Sequence, residues 1–498
     1  MILPSEKKIQ SIFWIFLLIH LTLWTSVAGF SRLNLPLDAI EGITWGQHLQ
    51  WGYDKNPYIS AWLSTLAAYL SPQSGWLTYF ICQLSVVICF WAIFQFSKEI
   101  LTPFYALFSV LILEGIQYYN FHAIDLSDNA LELSTWALII LYFDKSLRQN
   151  KILDWCLLGF FAGLSMMTKY YTALLLCSLL LMLISHVDWR KHFRTPNPYY
   201  AVAIFLIVVF PHVYWLYQHE FTTFHYTIER MSVPKPYWTQ HLTFPLQFMF
   251  EQGLILIPTL IMFSLFLIKY KKNSAIKVSQ YHKHLLFYAG LGPFILTLLI
   301  ALCSGIKLRS AWGQPLLSLW GVMLFVWFKP QISLRQYRLF LIIFSTTLIL
   351  TGMIYLFKQY HPTMVSSAIF PGKTIATVLE SDWQRQYHVP LRYTAGPRWL
   401  AGNVSFYTKN KPDVYMEWNP KVNPWLKDPL LRQHGGIFIW DLNKKKNQWT
   451  YDEMKNRYPT LTLPKIMHFS YYRNAQLPPV KLMYAFLPPT KVLDQDPL

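Results

Sequence analysis

Apolar runs of roughly twenty residues, the length a helix needs to cross a bilayer, recur along this sequence as far as residue 357. They fall near 10–30, 75–96, 101–119, 129–144, 153–167, 170–187, 199–217, 244–268, 284–303, 310–328 and 337–357. The fold they imply is a polytopic α-helical membrane protein with about eleven spans. The fifth and sixth runs nearly touch at Thr168-Lys169-Tyr170-Tyr171, so either can be tilted or re-entrant. Composition agrees, with 54% hydrophobic residues and only 14% charged. The first run, Ile12 to Ala28, is longer than a signal-peptide core and lacks a small-residue cleavage site, so it reads as a retained span with a cytoplasmic N-terminus.

An inside start and an odd number of spans put everything after 357 on the outside, and the basic residues test that arrangement. The loops assigned to the cytoplasm hold Lys7 and Lys8, then Lys145, Arg148 and Lys151, then Arg190, Lys191 and Arg194, and further clusters at 269–283 and 329–338. The opposite loops hold few cations: Arg32, Lys55, Lys169, Arg230, Lys235, Lys307 and Arg309. The bias supports the topology and leaves those few outer cations needing another explanation.

Past Lys358 the sequence changes character. No spanning run follows, turn signals recur at Phe370-Pro371-Gly372, Ala395-Gly396-Pro397 and His434-Gly435-Gly436, and Gly436-Ile437-Phe438-Ile439-Trp440 reads as a strand. The expected organisation is a membrane module over 1–357, whose outer loop spans 29–74, and a small extracytoplasmic α/β domain over 358–498. That domain carries nineteen Lys/Arg against ten Asp/Glu, a balance suited to anionic lipid or polysaccharide and equally to a solvated basic surface. All five cysteines, Cys82, Cys89, Cys156, Cys177 and Cys303, lie in or at the ends of apolar runs, so there is no disulfide framework and no zinc-type spacing. No internal repeat or nucleotide-binding glycine loop is present, and the basic balance of a membrane protein needs no nucleic-acid partner.

The outer loop holds the most informative chemistry. Asp38 and Glu41 stand one helical turn apart just after the first span, and Trp45 to Trp62 are dense in aromatic, amide and charged groups. Paired carboxylates at the edge of a bilayer suit acid/base or metal chemistry. They equally suit the start of a short surface helix.

Leu37-Asp38-x-x-Glu41, then Trp45-Gly46 and Gln50-Trp51-Gly52-Tyr53-x-Lys55-x-Pro57, resembles the first outer loop of bacterial GT-C glycosyltransferases. The group is the family named for dolichyl-phosphate-mannose–protein mannosyltransferases, which includes aminoarabinose and rhizobial galacturonosyltransferases acting on lipopolysaccharide. Asp128-Asn129 with Thr135-Trp136, Thr168-Lys169-Tyr170, Tyr226-x-x-Glu229-Arg230, Leu308-Arg309-x-x-Trp312-Gly313 and Trp399-Leu400-Ala401-Gly402-Asn403 extend the resemblance in the same order over most of the chain. Asn56-Pro57-Tyr58 departs from it, since relatives commonly carry a Pro-Pro pair there.

The resemblance implies a sugar donor carried on a polyprenyl phosphate, an envelope glycolipid, glycan or protein acceptor, and an active site at the outer face of the bacterial cytoplasmic membrane. Asp38 would serve as general base or orient the acceptor hydroxyl in an inverting displacement, with Glu41 the second carboxylate. The leaving group is an anionic lipid phosphate, for which Lys55, Lys169, Arg230, Lys307 and Arg309 are candidate partners. Tyr53, Trp45 and Asp128 complete the candidate set; Trp51 and Trp62 are further aromatic candidates.

Each has a plainer role available. Lys169 can snorkel from a helix end, Arg230 can pair with an acid, Asp125 or Asp128 can cap the span they open, and the aromatics can anchor the interface. A divalent cation is possible, but His48, His122 and His225 are too scattered to define a metal site. A lipid-linked glycan transporter or flippase is the competing class, although its working charges would normally lie within the spans. A polymer ligase is the nearer rival.

Overall fold

The computed structural model of the protein describes residues 5–72, 74–231, 237–443 and 449–490. Its contacts divide the chain into two compact units: Met1–Ser26, Trp51–Ser60 and Tyr79–Met353 form one, and Val27–Gln50, Ala61–Thr78 and Ile354–Leu498 the other.

The first unit is helical. Six helices of the described residues are long and apolar enough to cross a membrane, or eight if two bent pairs each count as one span. These six begin at Glu6, Trp76, Asn197, Gln240, Gln280 and Leu334. The count of about eleven is therefore not confirmed among the described residues, for identifiable reasons. The 170–187 run ends at Ser185 and turns by 103° into 187–194, and the 310–328 run bends by 54° between Leu317 and Trp320. The 101–119 run makes only Pro103–Leu111 as α-helix before tightening into 3₁₀ turns. There Glu114 accepts from Trp24 Nε1 and meets His20 Nδ1 at 2.8 Å, while Asn120 donates to the Glu114 carbonyl. Side-chain partners replace the regular ladder at that point.

Ile152–Thr168 is 17 residues long. Asp128–Gln149 carries too many charges to pass as a purely apolar span. Its start is capped by the Ser127 hydroxyl, which accepts from Ala130 N, and Asn150 in the left-handed region at φ 51° ends it. Leu206, Ile207, Phe210 and Tyr217 on Asn197–Gln218 are exposed, as lipid-facing side chains of a spanning helix must be.

The second unit is built on a five-stranded sheet of order β2-β1-β3-β5-β4, with β1 Tyr393–Gly396, β2 Asp413–Met416, β3 Gly436–Asp441, β4 Lys465–Phe469 and β5 Val480–Leu487. β1 runs parallel to β2 and β3, while β5 pairs antiparallel with β3 and β4. The alternation of β3 makes the core two-sided. Ile437 and Ile439 pack with Leu379 and Trp383 of helix Gly372–Tyr387 and with Val404 of helix Arg398–Tyr407. Phe438 and Trp440 pack with Tyr415, Trp418, Met454 and Tyr458 on the opposite face. A one-residue slip would exchange the two sets. The sheet domain anticipated after residue 358 is thus present, with β3 matching the strand read at 436–440. All five cysteines are free and none lies in this unit, so no disulfide among them braces it.

Candidate active site

In the sheet-bearing unit the candidate element is the helix Leu37–Gly46. Pro36 precedes it in an extended conformation and Asp38 lies in its first turn. Ala39, Ile40, Thr44 and Trp45 are buried and form its packing face. Helix Arg398–Tyr407 lies against that face at close range: a Cβ on Gly402 would come within 2.5 Å of Thr44 Oγ1 and 2.8 Å of Ile40 Cγ2. Only glycine allows that approach.

The two carboxylates of the helix have different surroundings. Glu41 is 5% exposed and its Oε1 accepts from Arg398 Nη1 at 2.9 Å. The same guanidinium reaches Glu417 Oε1 through Nε at 3.1 Å and lies 5.9 Å from the centre of the Trp45 ring. Asp38 is half-buried. They are three positions apart and so neighbours on the helix surface; the difference is one of depth, since Glu41 is buried against Arg398 while Asp38 sits half-buried in the first turn. Trp45 is 2% exposed, so its ring is committed to packing and to Arg398 rather than open to a sugar. His48 lies 3.3 Å from Asp413.

In the membrane unit residues 51–58 are held by side chains from neighbouring helices. His212 Nδ1 meets the Trp51 carbonyl at 2.5 Å and Thr223 Oγ1 donates to the Tyr53 carbonyl at 2.8 Å. Gly52 admits no side chain, since a Cβ would meet Trp215 at 2.5 Å and His212 at 2.7 Å. Tyr53 is fully buried. Lys55 places its ammonium 5.6 Å from the Tyr226 ring centre, and Asn56 donates to the Asp128 carboxylate. The cap of that helix is Ser127, so Asp128 is its first residue rather than its cap.

Lys169, in the break between Ile152–Thr168 and Thr172–Ser185, donates to Asn129 and lies 3.9 Å from Glu132. Its ammonium is 5.5 Å from the centres of both Tyr171 and Trp312. The first turns of Asp128–Gln149 therefore link the Lys55 loop to Lys169. Lys307 and Arg309 are exposed beyond the helix Gly292–Ser304. Their segment is fixed at Ser310, whose carbonyl accepts from Tyr118 Oη and from Gln252 Nε2. Arg230 belongs to helix Thr222–Met231, but its side chain lies outside the described residues, as does Lys235 altogether.

Arg398, Glu417 and Glu132 are additions to the residues anticipated from sequence. Glu132 was discoverable as an acid one turn past Asp128 inside a span. Arg398 stands between the Gly396-Pro397 turn and the Trp399-Leu400-Ala401-Gly402-Asn403 motif, but nothing local announces its partner at Glu41. Among the described residues no group of three or more His, Cys, Asp or Glu is gathered so as to hold a metal ion. Glu41 is instead paired with a guanidinium.

Residues 55–215 match the family model described as dolichyl-phosphate-mannose-protein mannosyltransferase. The crystal structure of ArnT from Cupriavidus metallidurans in the apo state is similar with a TM-score of 0.60 at 11% identity, covering 96% of this chain and 98% of that one. The same protein bound to undecaprenyl phosphate gives a TM-score of 0.56 at 12% identity, covering 95% and 97%. A comparison with curated protein sequences finds no match. The chain is thus similar to that family over residues 55–215 and shares the fold of ArnT over nearly its whole length.

Proposed function

We propose that the protein transfers a sugar from a polyprenyl-phosphate donor to a cell-envelope acceptor, lipopolysaccharide or another glycan, at the outer face of the bacterial cytoplasmic membrane, with inversion at the anomeric carbon. The observation that carries this reading is the match of residues 55–215 to the mannosyltransferase family model on a chain that shares the ArnT fold. Helix Leu37–Gly46 offers the carboxylates: Glu41 is held by Arg398, and Asp38 lies half-buried in the first turn, where we place the reacting group.

In the proposed step Asp38 takes the proton of an acceptor hydroxyl as its oxygen bonds to the anomeric carbon. The bond from that carbon to the donor phosphate breaks, and polyprenyl phosphate leaves with the electron pair. Where the acceptor is itself a phosphate, no base is needed and Asp38 positions the sugar. Lys55, Lys169, Arg230, Lys307 and Arg309 are the proposed partners of the leaving phosphate: guanidinium groups fork onto two oxygens and ammonium groups act as point charges. Asp128 supports Lys55 through the intervening Asn56. The orientation follows the lysine-rich loops, so residues 1–357 form the membrane module and 358–498 an extracytoplasmic domain in this reading.

The likeness to ArnT, one structure of which holds undecaprenyl phosphate, supports the donor class. Mass spectrometry of envelope glycolipids from cells with and without the gene tests the whole reading. A hexose, pentose or uronic acid mass missing without the gene is expected; identical glycolipid profiles would overturn it.

A further inference from the structure

Arg398 occupies a particular place in the sheet. It opens the helix that follows β1, and its second partner, Glu417, comes directly after β2 and donates its amide to the Gly396 carbonyl at 2.9 Å. The guanidinium therefore stands at the carboxyl ends of two adjacent parallel strands, the place where open α/β sheets assemble their sites. From there it holds Glu41 through Nη1 and Glu417 through Nε.

A second tie lies at the other end of the carboxylate helix. Gln47 Nε2 donates to Ser405 Oγ at 2.9 Å and to the Pro412 carbonyl at 3.0 Å, and its Oε1 accepts from Val414 N at 3.2 Å. β2 is one of the two edge strands of the sheet, and Gln47 satisfies a donor on it. A short ten-residue helix is marginal in water by itself. Fixed at Glu41 and Gln47, this one takes its position from the sheet.

We propose that Arg398 is a positioning residue for the transfer reaction: it acts through Glu41 to set the orientation of helix Leu37–Gly46, and so of Asp38. The sheet domain then takes part in catalysis rather than only decorating the membrane module. One guanidinium serving two carboxylates also explains why arginine is used, since an ammonium lacks the planar fork. This inference rests on the reading of Asp38 as the reacting carboxylate, but its mechanical half is testable alone.

The experiment uses the full chain in detergent and compares Arg398→Gln, Arg398→Lys and the double variant Glu41→Gln/Arg398→Gln with the parent. Amide hydrogen exchange across 37–46 is expected to quicken by roughly tenfold or more in Arg398→Gln while β3 and β5 stay protected. Transfer from an undecaprenyl-phosphate-linked sugar should lose on the order of a hundredfold in kcat, the scale of a small misplacement, with little change in donor KM. Arg398→Lys should recover part of it. The double variant should recover more than the single one, because it leaves no buried carboxylate without its cation.

Unchanged exchange over 37–46 in Arg398→Gln would overturn the clamp whatever the reaction proves to be. Faster exchange with unaltered kcat would overturn the positioning role. Should Arg398→Gln lose protection in the strands as well, Glu41→Gln, which breaks the same bond from the other side, is read in its place by the same criteria. A parent protein that transfers no sugar would defeat the proposed function, and the exchange data would still decide the clamp.

Discussion

The carboxylate helix and the cation-bearing loops are held by different means. Helix Leu37–Gly46 is fixed by a buried ion pair and a close glycine crossing to residues more than 350 positions away in sequence, as in Glu41 with Arg398. Lys55 lies between helices Leu37–Gly46 and Ile59–Leu70 and Lys169 in the break between Ile152–Thr168 and Thr172–Ser185, both steadied by aromatic faces and neighbours in the first turns of Asp128–Gln149. Chemistry that takes a proton needs a carboxylate base held at one distance, whereas a phosphate headgroup tolerates several cations at varied reach. Substitutions in the helix should therefore act on rate, and substitutions in the loops on donor binding.

The largest expected effect is at Asp38. Asp38→Asn keeps the size of the side chain and removes its basicity, so membrane abundance and donor binding should persist while the transfer rate falls about a hundred- to ten-thousand-fold. Near-normal transfer would remove Asp38 from the chemistry and erase the distinction between the two regions.

The cations come next. Lys55→Gln or Lys169→Gln should weaken binding of undecaprenyl phosphate by about 1.5–3 kcal/mol, the loss of a charge-assisted hydrogen bond, with kcat less affected. Lys169→Gln should also lower membrane abundance more than Lys55→Gln, because it leaves the buried Glu132 carboxylate without its nearby ammonium. Unchanged affinity in both variants would assign these lysines to packing.

Smaller effects concern how each region is built. Gly402→Ala forces a Cβ against Thr44 and Ile40 and should cost about 1–3 kcal/mol, read as a lower melting temperature and faster amide exchange over 37–46. Ser127→Ala removes the cap of the helix that carries Asp128, Asn129 and Glu132; about 1 kcal/mol is expected, visible as fraying of its first turn. Equal responses of 37–46 to both changes would blur the contrast between the regions.

Much of this arrangement is legible in the sequence because its causes are local. Apolar run length locates the membrane helices, and alternation with turn residues locates β3. The carboxylate motif and the lysine at a helix break are visible for the same reason. What stays hidden depends on tertiary contact. That Glu41 is paired depends on Arg398, and no spacing rule connects residues 41 and 398. The 3₁₀ turns at Glu114 likewise meet partners far along the chain, which hydropathy does not see, and the bends after Ser185 and Leu317 are equally invisible to it. Buried Tyr53 and Trp45 teach the same point, because an aromatic in an outer loop looks available for a sugar until its packing is known.

Orientation is open to a direct check. A reporter active only outside the cytoplasm should work when fused after Lys358 and fail when fused near Lys272. The reverse pattern would place both the carboxylate helix and the sheet on the cytoplasmic side.

The central claim is transfer of sugar from a polyprenyl phosphate. Its most direct test is purified full-length protein in liposomes containing a sugar-charged undecaprenyl phosphate and envelope glycolipid, followed by mass spectrometry of the acceptor and a sidedness assay of the donor. The account predicts that the glycolipid gains one sugar mass as free undecaprenyl phosphate appears, and that Asp38→Asn abolishes most of this gain. Movement of the donor between leaflets with no sugar gained by any acceptor would contradict it and favour a flippase.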